Sequence, residues 1–453
     1  MAVANEPSDY GMDKLNSEIF SLLESKFLFG YQNNNTNISP AVTPTWQDSS
    51  SPFTTDASSG GRIRILSIDA GGATEGLLAA ASLALLESSL QHITSDTCVR
   101  IPDFFDLAAG SGVGGVLVSL IFARDTAASR PLLSAAQVLR IFSKYHRSII
   151  HGSSSKKGGI FRKIFGGRKN KKTQPSDCVF RRLFGDDLTL KDTVKPVLIP
   201  CYDLATGAPF VFSRADAMET TSYDFRIREV CAATMGMKEA ENVKSVDGRT
   251  RISAASVDGG VAMGNPASTA ITHVLNNKIE FPFANDVQDL FLVSIGNGEA
   301  GGSAHHPENN TPSHAGIVKI AGDGVSDMID QAVGMAFGQS RANNYIRIQG
   351  REPKPFSNSN LRESKDESSS DQLLGVAEEM LAQKNIESVL FQGKKLSEKT
   401  NGEKLDWAAV ELVKENDRRK KSPHPIVVFK ENSPRRDSSS SSSPISSSLN
   451  SSP

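Results

Sequence analysis

The sequence is poor in the features that mark metal-binding, secreted or membrane-spanning proteins. It has only four cysteines in 453 residues, and they form no CxxC pair and no zinc-ligand spacing. We therefore expect reduced thiols, no metal site and a cytoplasmic location. No apolar run approaches the roughly 20 residues that a membrane-spanning helix needs. The N-terminus also has no apolar stretch of the kind found in secretory signals.

An excess of charge of one sign is missing as well. The chain carries 50 basic and 51 acidic residues, which gives a formal net charge of −1. This balance excludes a general electrostatic attraction to nucleic acid or to an anionic bilayer, so any such attraction must be local. Hydrophobic residues make up 38% of the chain, which is enough for a substantial core.

Composition and pattern divide the chain into four segments. Residues 1–61 predict one amphipathic helix, over residues 12–30, followed by a polar linker. Residues 62–272 predict the main domain, and residues 273–431 predict a C-terminal extension that completes its fold. Residues 432–453 are so rich in serine that we expect a disordered tail.

The main domain begins with a unit that occurs twice, namely a strand, a glycine turn and a helix. The first unit runs through RIRILSID, AGGATEG and LLAAASLALLESSL, and the second runs through DFFDLAA, GSGVGG and VLVSLIFA. This alternation predicts an α/β layered fold around a mostly parallel central sheet. Further strands are expected at VKPVLIPCYD, PFVFS, RISAASVDG, DLFLVSIG and HPIVVF, and further helices at residues 225–237, 318–342 and 371–383.

The second glycine turn has two interpretations, of which the first is nucleotide binding. Gly110, Gly112 and Gly115 satisfy the GxGxxG pattern of dinucleotide sites. Such a site also needs a second strand that ends in an acidic residue about 20 positions later. The corresponding region reads RPLLSAAQVLRIF and has neither. We therefore expect no nucleotide and no other cofactor, and nucleotide binding stays the weaker alternative.

The second interpretation comes from three glycine motifs taken together. They are DAGG at residues 69–72, GSGVGG at residues 110–115 and DGG at residues 258–260, each expected at the end of a strand. In this order they resemble the motifs of the patatin-like phospholipase family. The stretches DFFDLAAG, VCAATMG and DGGVAMGNPA extend the likeness, which covers residues 62–272 and continues more loosely to residue 299.

The likeness is closest to the plant group of this family that carries glycine where other members carry the nucleophile. The resemblance implies a three-layer patatin-like fold with a mostly parallel central sheet, here joined to an N-terminal helix and a C-terminal extension. It also implies non-specific hydrolysis of the acyl esters of membrane phospholipids and galactolipids.

The resemblance implies a role for each motif. Gly71 and Gly72 would supply oxyanion amides, Gly112 holds the place of the serine nucleophile, and Asp258 would be the base of a serine–aspartate dyad. Gly112, however, has no side chain. Ser111 lies one place before the tip of the turn and could act only if the turn were shifted by a residue. Otherwise its hydroxyl would stabilise the turn, and Asp258 taken alone would be an ordinary Asp-Gly turn.

The first glycine turn also departs from the family pattern. Thr74 and Glu75 stand where the family has arginine, with one residue inserted before Gly76. A carboxylate near a developing oxyanion is unfavourable unless it points to solvent. Alternatively, Glu75 would cap the first turn of the helix that follows.

Two functions are compatible with these motifs. The first is a patatin-type lipid acyl hydrolase of weak activity. Loss of the serine nucleophile costs about 10⁶-fold in subtilisin and leaves roughly 10³- to 10⁴-fold catalysis over water. The second is a catalytically inactive lipid-binding or regulatory protein. Membrane lipids are the expected partners in both cases, and nucleic acid is not.

One local cluster of positive charge favours peripheral attachment to a membrane. Residues 156–172 read KKGGIFRKIFGGRKNKK, in which two apolar pairs lie one helical turn apart among basic residues. Each basic residue near an anionic bilayer contributes up to about 1 kcal/mol. A solvated insertion and a nuclear-import patch are equally compatible with the pattern. The membrane-contacting residues would be Lys156, Lys157, Ile160, Phe161, Arg162, Lys163, Ile164 and Phe165.

Overall fold

A mostly parallel β-sheet forms the centre of the fold. The structure is a computed structural model, and every described residue belongs to the second of two units, residues 1–57 and residues 58–453. The helix expected at residues 12–30, the basic segment 156–172 and the serine-rich tail lie outside the described residues. The structure describes residues 61–71, 74–125, 129–150, 175–237, 240, 242–255, 259–299, 314–351, 368–389, 393–422 and 425–429.

The strands of the structure form the kind of sheet that the sequence predicts. Those of the described residues are β1 (Ile63–Ile68), β2 (Leu107–Gly110), β3 (Val197–Asp203), β4 (Ala208–Ser213), β5 (Val243–Lys244), β6 (Arg251–Ile252), β7 (Leu290–Ile295), β8 (Tyr345–Ile348), β9 (Lys384–Val389) and β10 (Gly393–Thr400). Six of them form the central sheet in the order β4-β3-β2-β1-β7-β8. Only β4 runs antiparallel to its neighbour in that sheet. The predicted mostly parallel sheet is therefore confirmed.

Helices cover both faces of this sheet. Those of the described residues are α1 (Leu77–Thr94), α2 (Val113–Phe122), α3 (Ala135–Ile150), α4 (Pro175–Phe184), α5 (Arg214–Glu219), α6 (Ile227–Thr234), α7 (Gly259–Ala262), α8 (Ala267–Asn276), α9 (His314–Ala336), α10 (Arg341–Asn344), α11 (Ser368–Ala382) and α12 (Asn401–Lys421). None of these helices combines the length and apolar composition needed to cross a bilayer.

Alternation along β1 shows how the three layers are built. Ile63 and Ile65 face the core beneath α8 and α9, whereas Leu66 and Ile68 face the larger core formed with α1, α2, α3, α6 and α12. Successive side chains of a strand point to opposite faces of a sheet, so a central strand with helices on both sides is apolar on both. The structure is therefore the three-layer α/β fold that the resemblance implies.

Two of the predicted strands are wrong. Over its described residues, RISAASVDG forms only the two-residue strand β6, which pairs with β5 outside the central sheet. Both edges of β3 are occupied by β2 and β4, so the chain after β6 binds only the end of β3, where the Ala255 amide donates to the Tyr202 carbonyl at 2.8 Å. HPIVVF is not a strand over its described residues 425–429. Its Val428 amide donates at 2.9 Å to the carbonyl of Glu280, a loop residue.

A buried cluster of charges attaches the C-terminal helix α12 to the sheet. Asp106, which precedes β2, accepts hydrogen bonds from the Arg64 amide at 2.8 Å and from the Arg419 guanidinium of α12 at 2.6 and 2.7 Å. Burial by itself would raise the pKa of Asp106, but the charges of Arg64 and Arg419 lower that pKa below the usual aspartate range. Asp106, the second aspartate of the DFFDLAAG stretch, therefore has a structural role: it anchors α12 to the sheet.

Candidate active site at the ends of β1 and β2

The second glycine turn has the geometry of a nucleophile elbow. β2 ends at Gly110 and α2 begins at Val113. Between them Gly112 has φ 52° and ψ −124°, a conformation that most side chains avoid. A sharp, strained turn from a strand into a helix is typical of the elbow that presents a catalytic nucleophile. Gly112 occupies the tip of this turn, where no side chain is available.

Close packing explains the other glycines of the turn. A Cβ atom on Gly110 would lie 2.4 Å from the carbonyl oxygen of Gly114, and one on Gly114 would lie 2.3 Å from the carbonyl oxygen of Ile68. A Cβ atom on Gly115 would lie 2.9 Å from the carbonyl oxygen of Gly110. Glycine is needed where backbone segments approach this closely. The GxGxxG spacing therefore needs no bound nucleotide to account for it.

A threonine of α6 holds the tip of the elbow in place. Thr234 is fully buried, and its hydroxyl accepts a hydrogen bond of 2.9 Å from the Gly112 amide. The Gly112 carbonyl in turn accepts a bond of 3.2 Å from the Val116 amide in α2. The peptide groups on both sides of the tip are thus fixed, as buried backbone groups require.

Ser111 does not present its hydroxyl to solvent. The residue is fully buried, and among the described residues its Oγ has no hydrogen-bond partner. Its backbone is well bonded instead, because the Ser111 amide donates to the Ile68 carbonyl at 3.2 Å and its carbonyl accepts from the Gly114 amide at 2.8 Å. The expectation that the Ser111 hydroxyl stabilises the turn is wrong, since the backbone does so.

The first glycine turn follows β1 and lies against the elbow. Asn297, just after β7, clamps its two ends. The Asn297 Nδ2 donates to the Asp69 carbonyl at 2.6 Å, and the Asn297 carbonyl accepts from the Thr74 hydroxyl at 2.7 Å and the Thr74 amide at 3.1 Å. Between these ends the Ala70 amide donates to the Gly264 carbonyl at 3.0 Å. Two separate parts of the chain, at Asn297 and Gly264, therefore fix this turn.

A buried ion pair anchors the start of the same turn. The Asp69 carboxylate lies 2.5 Å from the Arg347 guanidinium of β8, which also contacts Asp330 of α9 at 3.4 Å. Burial lowers the pKa of Arg347, but the adjacent carboxylates outweigh burial and raise that pKa above its usual range. The Asp69 carboxylate is therefore held by a permanent positive charge.

Glu75 does not cap the following helix, so that expectation is wrong. Its carboxylate lies 3.8 Å from Nε2 of His146 in α3, and its side chain is 23% exposed. The backbone of Glu75 has a positive φ of 49°. The first turn of α1 is capped instead by Thr74, whose hydroxyl accepts from the Leu78 amide at 3.3 Å.

Two backbone amides near the elbow are available for an oxyanion. Among the described residues, neither the Gly71 amide nor the Val113 amide donates a hydrogen bond. Gly71 has φ 54°, and no atom of the residues that the structure describes lies within 4 Å of the position its Cβ would take. Val113 follows the elbow tip, and the amide after the nucleophile position is one of the usual oxyanion donors. Gly72 lies outside the described residues.

Asp258 also lies outside the described residues, but the chain on both sides of it is placed. Before it, Ala255 is bonded to the end of β3. After it, α7 packs against β3 and α6, and Gly264 accepts the Ala70 amide of the first glycine turn. The segment that carries Asp258 thus begins and ends at the carboxyl edge of the sheet, where the two glycine turns also lie.

Comparison with known proteins decides the family. A "Patatin-like protein 3" of Oryza sativa subsp. japonica is 46% identical over 416 residues, which cover 91% of this chain and 93% of that protein. The chain belongs to the plant patatin-like proteins. "Patatin-like protein 6" of Arabidopsis thaliana is 43% identical over 457 residues, 94% of this chain and 88% of that protein. No family model matches the chain.

A further patatin-like relative bears on activity. "Probable inactive patatin-like protein 9" of Arabidopsis thaliana is 39% identical over 361 residues, 78% of this chain and 86% of that protein. Patatin-like proteins similar to this chain therefore include one that is named as probably inactive.

Three residues that support this patatin-like site were not singled out from the sequence. Thr234 lies in VCAATMG, a stretch that extends the resemblance, and Asn297 lies in the part up to residue 299 where the resemblance is looser, so their position offered a signal. Arg347 lies in the short strand YIRI, and nothing local links it to Asp69, which is 278 residues away.

Proposed function

We propose that the protein is a weak, patatin-type lipid acyl hydrolase that acts on membrane phospholipids and galactolipids. The observation that carries the proposal is the elbow at Gly112, with φ 52° and ψ −124°, together with the Gly71 and Val113 amides, which donate to no partner within the described part of the chain. Backbone amides without an internal partner, next to a nucleophile elbow, are the kind of groups that stabilise a tetrahedral oxyanion. Family membership supports the same reaction class.

Water takes the place of the absent serine in this proposal. The Asp258 carboxylate removes a proton from a water molecule as its oxygen attacks the ester carbonyl, and the negative charge moves to the carbonyl oxygen. The Gly71 and Val113 amides hydrogen-bond that oxygen. When the intermediate collapses, the ester C–O bond breaks, and Asp258 returns the proton to the leaving alkoxide. The products are a free fatty acid and the deacylated lipid.

A catalytically inactive lipid-binding or regulatory role is the second candidate. The observation that favours it is the lack of any nucleophile at the tip, since Gly112 has no side chain and the Ser111 hydroxyl is buried. A catalytic oxygen must reach the substrate carbonyl to within about 3–3.5 Å. The interior position of Ser111 is incompatible with this requirement.

Fatty-acid release from phosphatidylcholine and monogalactosyldiacylglycerol vesicles separates the two candidates. The natural chain should be slow, Asp258→Asn should lose its activity, and Ser111→Ala should retain it because that hydroxyl does not reach the substrate. Gly112→Ser restores a hydroxyl at the elbow tip and should raise the rate at least about 10²-fold, a fraction of what a nucleophile contributes in subtilisin.

Two outcomes would contradict the hydrolase. Equal rates for the natural chain and Asp258→Asn would show that the activity does not come from this site. An inactive natural chain together with an active Gly112→Ser variant would show an intact site that lacks only its nucleophile, and would favour the lipid-binding role.

A further inference from the structure

Helix α9 exposes an apolar face to solvent. Its large apolar side chains with high exposed fractions are Ile317 at 52%, Ile320 at 62%, Val325 at 53%, Met328 at 70% and Met335 at 58%. The opposite face packs under the sheet through Ile329 and Val333. A surface helix normally carries polar side chains on its outer face, and a contiguous exposed apolar surface marks a docking site.

The direction of α9 is fixed by its contacts with the strands. At its C-terminal end, Phe337 stacks on Tyr345, the first residue of β8. Farther back along the helix, Lys394 bridges Asp327 at 3.2 Å and Glu299 at 2.6 Å. Glu299 comes four residues after β7 has ended. Along the direction of the strands, Asp327 therefore lies beyond the carboxyl edge of the sheet.

The first turns of α9 project farther in the same direction. Ile317 precedes Asp327 by ten residues, which corresponds to about 15 Å along a helix axis. Ser326 lies beside Gly264, with its Cβ 3.5 Å from where a Gly264 Cβ would be. Gly264 in turn holds the Ala70 amide of the first glycine turn. The apolar start of α9 thus extends outward next to the candidate active site.

The charge of this projecting part indicates what it can contact. Between Ile317 and Val325 the sequence has two charged residues, Lys319 and Asp323, and their opposite charges cancel. An apolar tip without net charge has no electrostatic preference for an anionic surface. It is suited to a lipid surface without net charge, such as phosphatidylcholine or galactolipid. The basic segment 156–172 predicts the opposite behaviour, namely binding that depends on anionic lipid and low salt.

We propose that Ile317, Ile320 and Val325, the tip of α9, insert into an uncharged lipid surface. Insertion places the glycine turns at the ends of β1 and β2 against the bilayer, where an acyl ester can enter. The role of this contact in catalysis rests on the proposed function, whereas the binding itself does not. Because the contact is apolar, it persists at high salt.

Flotation with phosphatidylcholine vesicles tests the proposal on the full chain. The tip variant carries Ile317→Gln, Ile320→Gln and Val325→Gln, which keep good helix formers on an exposed face. The matched control carries Ile279→Gln, Phe283→Gln and Met335→Gln, whose exposed fractions are 63%, 58% and 58%. These three control side chains lie near the starts of β7 and β8, at the opposite end of the sheet.

The natural chain should float at low and high salt alike, and the control should follow it. The tip variant should bind at least about tenfold more weakly, because three apolar side chains no longer leave water. Equal flotation of the tip variant and the natural chain would overturn the proposal, as would a natural chain that does not float. A natural dimer that only the tip variant dissociates in sedimentation would overturn it too, because the tip would then be a self-association surface.

Fatty-acid release measured in the same samples keeps the two proposals apart. Flotation lost in the tip variant, with no fatty acid released by the natural chain, would support docking and contradict the hydrolase. Hydrolysis of vesicles that survives unchanged in the tip variant would support the hydrolase and contradict docking.

Discussion

Replacement of Gly114 by alanine tests whether the elbow depends on close packing between backbone segments. The new Cβ would lie 2.3 Å from the Ile68 carbonyl oxygen and 2.6 Å from the Asp69 carbonyl oxygen. Both oxygens are backbone atoms at the end of β1. Asp69 is held in addition by Arg347 and Asn297. Neither oxygen can move aside without disturbing the first glycine turn.

The overlap sets the size of the effect. Carbon atoms of packed side chains approach one another to about 3.5 Å, so alanine must displace one of the two backbone segments by roughly 1 Å. Insertion of extra methyl or methylene groups into a packed interior costs about 1–3 kcal/mol. We expect about 3 kcal/mol for Gly114→Ala because the obstacle is backbone on both sides. That loss lowers the ratio of folded to unfolded protein by more than about a hundredfold.

Urea unfolding followed by circular dichroism measures this loss. Gly375→Ala is the matched control, since Gly375 lies inside α11 and its Cβ position has no atom of the described residues within 4 Å. The control should gain up to about 1 kcal/mol from the better helix propensity of alanine. A loss below about 0.5 kcal/mol for Gly114→Ala, the usual range of a surface substitution, would refute the packing argument and reopen the nucleotide-binding interpretation of the glycines.

Two further predictions concern buried polar contacts. Thr234→Val keeps the side-chain volume but removes the acceptor of the Gly112 amide, so urea titration should show a loss of about 1–3 kcal/mol. Asp106→Asn removes a carboxylate whose folded-state pKa is lowered by Arg64 and Arg419. Its contribution is present above the unfolded pKa of about 3.9 and is lost as pH falls toward the lower folded pKa. The stability gap to the natural chain should therefore be about 3 kcal/mol near neutral pH and should close in urea titrations below about pH 4.

Each of these two predictions has its own control and its own contrary result. Thr272→Val removes an exposed hydroxyl that bonds the Ser268 carbonyl of its own helix and should change stability little. A Thr234→Val variant as stable as Thr272→Val would contradict the clamp on the elbow tip. A gap between Asp106→Asn and the natural chain that stays constant from neutral to acidic pH would contradict the lowered pKa.

The class of fold was predictable because its signals are local. β1 and β7 are short, nearly continuous apolar runs, and glycine turns follow β1 and β2. Strands buried on both faces have this composition, and the predicted helices over residues 225–237, 318–342 and 371–383 correspond to α6, α9 and α11. The strand predicted in RISAASVDG failed for a reason that is not local. Its β-branched residues suit a strand, but β3 has no free edge until its last residues.

Other elements escaped prediction because their composition is ambiguous. β8 is only four residues long and carries Arg347, a charge that looks exposed until its partner is known. α12 is strongly charged, with basic residues throughout its last turn, yet its own Leu405 and Leu412 are fully buried. A sequence pattern shows which residues are apolar, but it does not show which side chains lie opposite a charged residue in the folded protein.

The order of the three glycine motifs, and with it the family, was determined by the sequence alone, because the motifs can be identified from their residues and their succession along the chain. The same is true of the missing side chain at position 112. The tertiary structure decided everything that depends on contact between distant segments. It brought Thr234 to the Gly112 amide, Arg347 to Asp69, and the apolar start of α9 beside the turns. These pairings follow from the sheet order β4-β3-β2-β1-β7-β8, which sets strands beside one another that are far apart in sequence.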